Sequence, residues 1–136
     1  MKTRKNLSAN GLLRRMMNNF RQVKDHRIGD VKIGLADTLM AGFAMFSLKA
    51  PSLLAFDEQR KEPENLHTIY GIEEIPCDTQ MMTILDGVEG ESLRPVYKDM
   101  FRELQRGKGL EPYRIMGMYY LLTGWDGIFL IQTNTL

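Results

Sequence analysis

A mainly α fold, a helical bundle running into the first strands of a sheet, is what this sequence predicts. Three observations carry that expectation. Apolar residues recur at helical spacing through the first three quarters of the chain. Glycine and proline interrupt the pattern at intervals that suit short helices. After Pro112 the texture turns to aromatic and aliphatic residues that favour strand. The 136 residues fit one domain, and a content of 43% hydrophobic and 26% charged residues suits a globular chain with a core of its own.

The elements follow in order. Residues 8–24 predict a first helix, with Ser8 as its N-cap and Leu12, Leu13, Met16, Met17, Phe20 and Val23 on its packing face. Arg14, Arg15, Asn18, Arg21 and Gln22 fill its other positions. Gly29 and Asp30 mark a turn, and Asp30 is the expected cap of the next helix. Residues 32–49 are apolar nearly all round, as in a central bundle helix. Asp37 is the exception, suited to the helix N-terminus or to a basic partner on the first helix.

Pro51 and Pro63 each stand where a short helix would open, the second carrying Leu66 and Ile69 and stopped by Gly71. Residues 73–76 form a linker. Asp78 is the expected N-cap of a helix that packs through Met81, Met82 and Leu85 and ends at Gly87 and Gly90. Residues 92–106 are the clearest amphipathic helix, with Leu93, Val96, Tyr97, Met100, Phe101 and Leu104 in one stripe. Arg94, Lys98, Arg102, Glu103 and Arg106 are expected outside, and Gly107 and Gly109 stop the helix. Segment 113–122 reads as strand.

The net charge of +1 conceals a division. Residues 1–33 hold Lys2, Arg4, Lys5, Arg14, Arg15, Arg21, Lys24, Arg27 and Lys32 against Asp25 and Asp30, a net of +7, so the remainder carries −6. A basic segment of this kind fits a polyanion, nucleic acid foremost, and phosphate neutralisation requires no particular fold. The plainer alternative is a solvated helix face with spare charges.

Other chemistry is thinly represented. One cysteine, Cys77, excludes a disulfide framework, and two histidines add little toward structural zinc. His26 and His67 have no nucleophile or metal partners in recognisable spacing. The ten methionines read as core filling. The longest apolar stretch, Leu39 to Leu48, is about half the roughly 20 residues that a bilayer crossing needs. With no signal-peptide pattern at the N-terminus, cytoplasmic residence is the expectation.

An ordered series of blocks resembles the N-terminal region of bacterial insertion-sequence transposases of the DDE class, in the insertion-sequence-4-type branch. The blocks are DHRIGD at 25–30, LADTLMAGFAMFSLK at 35–49, PSLLAFD at 51–57, NLHTIYG at 65–71, IPCDTQM at 75–81 and LRPVY at 93–97. Each is weak alone, and the series covers residues 1 to about 122. The resemblance implies that a helical region serving DNA binding and complex assembly precedes an RNase-H-like catalytic domain. In that domain three carboxylates would hold two divalent metals, magnesium by implication, which clamp the attacking and leaving oxygens of a phosphoryl displacement.

The first of those carboxylates belongs to a strand reading roughly Leu-Asp-Gly-Thr-x-Tyr-Phe-Ser-Ser, expected after Leu122. This chain departs from the pattern there, reading TGWDGIFLIQTNTL from 123 to 136. Codons permitted for residues 124–136, read one base later, spell Asp-Gly-Thr-Gly-Tyr-Phe-Ser-Ser-Lys-Gln-Thr-Leu. The expectation is a frameshift at or just before Thr123, which makes Asp126 an accidental match.

The expected organisation is a basic helical arm at 1–33, a helical domain at 34–110, the first strand of a truncated RNase-H-like domain at 111–122 and an out-of-frame tail at 123–136. The expected function is the DNA-binding and assembly region of a transposase without its catalytic domain, inactive alone and holding no cofactor. Its expected partners are DNA, transposon ends by family, and another copy of itself or the full-length transposase, with no membrane. The DNA contacts expected are the nine basic residues named above. The alternative is a small helical module that binds an acidic partner or the full-length transposase. A small enzyme using Asp126, His26 or His67 is the third reading, and no nucleophile–base pair supports it.

Overall fold

The structure, a computed structural model, describes residues 7–111 in full and the backbone of three short strands within 114–131. The described chain is mainly helical. Its helices are α1 (Ala9–Gln22), α2 (Leu35–Ser47), α3 (Leu53–Gln59), α4 (Glu64–Thr68), α5 (Asp78–Asp86) and α6 (Gly90–Arg106). The strands are β1 (Arg114–Ile115), β2 (Met118–Thr123) and β3 (Gly127–Ile131). They pair antiparallel in the order β1-β2-β3, with Ile115 opposite Met118 and Leu121 opposite Phe129. The expected tail therefore supplies β3. The side chains of Asp126 and of residues 132–136 lie outside the described residues.

α1 begins as its sequence dictates. The Ser8 hydroxyl accepts from the Gly11 N–H at 3.1 Å, satisfying one of the donors that a helix start leaves open. Met16, Met17 and Phe20 are buried, and Leu12, Leu13 and Val23 pack against them. These residues share one hydrophobic core with Leu39 and Met40 of α2, Phe56 of α3, Met81 and Ile84 of α5, and Val96 and Met100 of α6. α2 packs on both α1 and α5, while α1 also packs on α6.

α2 is the central element, with Met40, Ala41 and Ala44 fully buried. Thr38 is buried too, and its hydroxyl donates to the Gly34 carbonyl at 3.1 Å. The helix is less enclosed than its composition predicts, because Phe46 and Leu48 at its C-terminal end are exposed. Asp37 sits in the first turn and accepts from the Glu74 N–H at 3.0 Å, not from a basic residue of α1.

Several expected boundaries move. Asp30 does not cap α2, whose N-cap is Gly34. Ser52 caps α3 by accepting from the Ala55 N–H, so Pro51 precedes that helix rather than opening it. Cys77, not Asp78, is the N-cap of α5, and its N–H donates to the Gln80 side chain. Gly90 opens α6 rather than closing α5. Within α5, Ile84 is buried while Met82 is half exposed, because the face turned to the core runs through Met81, Ile84 and Leu85. Tyr97 of α6 is likewise half exposed.

Among the described residues, no helix is long and apolar enough to cross a membrane. Phe20, 1% exposed, is the most enclosed side chain of α1. Phe20→Ala is expected to cost about 3–5 kcal/mol, a large share of a small domain's stability. A urea unfolding curve would measure it, and a loss below about 1 kcal/mol would contradict this account of the core.

Candidate nucleic-acid interface

Basic residues 1–33 divide into three groups. Lys2, Arg4 and Lys5 lie outside the described residues. Arg15 and Arg27 are engaged by carboxylates inside the fold. Arg14, Arg21, Lys24 and Lys32 are exposed, and none of these four forms a salt bridge with a described residue.

Arg15 ties α1 to α6. Its Nε donates to Asp99 Oδ2 at 2.7 Å and a terminal nitrogen donates to Oδ1 at 2.9 Å, the two-pronged arrangement that suits guanidinium and carboxylate. Asn19, one turn further on, donates to the same Oδ2 at 2.7 Å. Glu103, one turn beyond Asp99, lies 3.5 Å from the other terminal nitrogen of Arg15. The pairs Arg15/Asn19 and Asp99/Glu103 each stand four apart, so each occupies one stripe of its helix. Glu103 thus faces α1, not solvent as its sequence pattern predicts. The hydrogen bond from Arg15, then that from Asn19, holds the Asp99 carboxyl at a pKa of about 2, against the opposing effect of partial burial. The same hydrogen bond raises the pKa of Arg15.

Arg27 closes the connection between α1 and α2. Its Nε and one terminal nitrogen donate to Asp25 at 2.9 and 2.7 Å, and that terminal nitrogen also donates to the Ile33 carbonyl at 2.9 Å. The Arg27 N–H adds a fourth bond, to Asp25 Oδ1 at 2.9 Å. Asp25 is held below the usual carboxylate range, first by the Arg27 side chain and then by its backbone N–H. Gly29, at φ +104°, makes the turn inside this closure. His26 lies directly over Gly87, where a Cβ would collide with the imidazole. His67 Nδ1 donates to the Ile72 carbonyl at 2.6 Å, which locks the turn after α4.

A groove of about 200 Å³ runs beside the outer stripe of α1. Asn10, Arg14, Asn18 and Arg21 line one side, and residues 68–71 line the other. Among the described residues, no group of three or more His, Cys, Asp or Glu could hold a metal ion. The carboxylate cluster that two-metal chemistry requires is therefore not assembled by the described part of the chain.

Asp99 and the amides of Asn10 and Asn19 were not singled out by the sequence. Their signal was the four-residue spacing on α1, and of Asp99 with Glu103 on α6. Asp99→Asn keeps the shape and removes the charge, and is expected to cost on the order of 1–2 kcal/mol near neutral pH. Because the folded-state pKa is depressed, this stabilisation is complete above the ordinary carboxylate range near 3.8 and is lost as pH falls through about 2. Thermal melts of parent and variant should therefore converge as the pH is lowered across that window. A constant offset down to pH 2 would contradict the assignment.

Comparison of the chain with protein families, with curated proteins and with solved structures finds no match.

Proposed function

We propose that this chain is the DNA-binding and assembly region of an insertion-sequence transposase. The observation that carries the reading is the separation of charge within residues 1–33. Arg15 and Arg27 are engaged in holding the fold, while Arg14, Arg21, Lys24 and Lys32 remain on its surface. Lysine and arginine placed on a folded surface gain affinity for a phosphate backbone by releasing its counterions, without reading sequence. The ordered blocks that resemble the transposase N-terminal region supply the biological context. In that reading β1 and β2 would belong to the opening of the RNase-H-like sheet, while β3 would come from the out-of-frame tail.

Titration of duplex DNA by fluorescence anisotropy at several salt concentrations tests the proposal. The expected result is weak binding whose affinity falls steeply between about 50 and 200 mM salt. Absence of binding, or binding indifferent to salt, would overturn it. The second reading, a helical interaction module, is favoured by the exposure of Phe46 and Leu54, 76% and 65% respectively. Self-association that persists after nuclease treatment, with no affinity for DNA, would select it.

A further inference from the structure

We infer that the groove between α1 and residues 68–71 is the seat of a phosphodiester backbone, with one phosphate on Arg14 and another on Arg21. This inference rests on the DNA-binding reading and narrows it to one face of one helix. Asn10, Arg14, Asn18 and Arg21 recur at spacings of four, four and three, so they form a single stripe. Seven residues separate the two arginines, about 10 Å along the helix axis. The Asn18 side-chain oxygen Oδ1 accepts from Arg21 at 3.5 Å, which leaves the side-chain amino group to donate to a ligand.

No carboxylate lines this groove. Its cationic wall offers guanidinium and carboxamide donors, which suit phosphate oxygens. The facing wall is held in place from behind. The Tyr70 hydroxyl donates to Ser47 Oγ at 2.9 Å, the Gly71 N–H donates to the His67 carbonyl at 3.1 Å, and Gly71 turns at φ +69°. Ile69, half exposed, gives that wall an apolar lip for the sugar edge of a strand.

The outer face of α6 is the natural comparison. Arg94, Lys98 and Arg102 stand four apart there, but Glu91 and Asp99 share the same surface and Arg94 is bound to Glu91 at 2.6 Å. Charge density alone therefore favours the α1 groove, and α6 provides a charge-matched control.

The test compares the parent chain, Arg14→Gln/Arg21→Gln, Lys98→Gln/Arg102→Gln and Ile69→Glu. Each is titrated against a duplex of about 20 base pairs across a salt series, with circular dichroism to verify helix content. Loss of two phosphate contacts should lower the salt slope by about 2 in the α1 pair and weaken binding roughly tenfold or more. The α6 pair should retain most of the slope. Ile69→Glu, which sets a carboxylate opposite the arginines and leaves α1 untouched, should also weaken binding. A parent chain that fails to bind removes both the groove and the DNA reading. A parent that binds, with the α1 pair unchanged or equal in effect to the α6 pair, removes the groove alone. Displacement of the duplex by polyglutamate at equal charge would assign the groove to an acidic peptide and overturn the inference.

Discussion

The rotation of α1 about its own axis is the constraint on which the surface of this protein depends. A helix with arginines on several sides can turn any of them outward. Here the core fixes one side through Met16, Met17 and Phe20, and Asp99 fixes the next by taking Arg15 in two hydrogen bonds and Asn19 in a third. The contact joins positions 84 residues apart in the chain. Once Arg15 faces α6, Arg14 and Arg21 must stand beside residues 68–71. Partial burial of the ion pair matters, since an exposed pair of the same geometry would contribute little.

The positive segment and the negative remainder are thus not two electrostatic bodies. The cationic part of α1 grows out of the same core as α2 and α6, and some of the negative charge is spent within the fold. Asp99 and Glu103 meet Arg15, and Asp25 meets Arg27. The surface that remains is more sharply sorted than a count over the sequence conveys. That sorting supports a nucleic-acid role more directly than net charge does, because only unpaired cations on a common face can follow a phosphate backbone.

Local chemistry was legible where it acts alone. The hydroxyl of Ser8, the stop at Gly71 and the stripe through Leu93, Val96 and Met100 each follow from a few neighbouring residues. Tertiary choices were not. Whether Met82 or Ile84 packs inward depends on how α5 lies on α2, and both are acceptable core residues. Asp30 looked as good a cap as any, but the bond between Arg27 and the Ile33 carbonyl keeps residues 25–33 out of helix. For the candidate site, the nine cations were visible in sequence, while sorting the six described ones into engaged and exposed groups required their carboxylate partners, Asp99 for Arg15 and Asp25 for Arg27. A carboxylate on an amphipathic helix gives no local sign of its partner.

The closure made by Arg27 has a thermodynamic side. It binds Asp25 at one end of the connection and the Ile33 carbonyl at the other, so the segment between Lys24 and Lys32 is already ordered in the free protein. Fixing each backbone residue of a loose loop costs about 1–2 kcal/mol of conformational entropy. An anion that met these two lysines would find that cost already met by folding, so its affinity would be governed by charge and ion release rather than by the ordering of the loop.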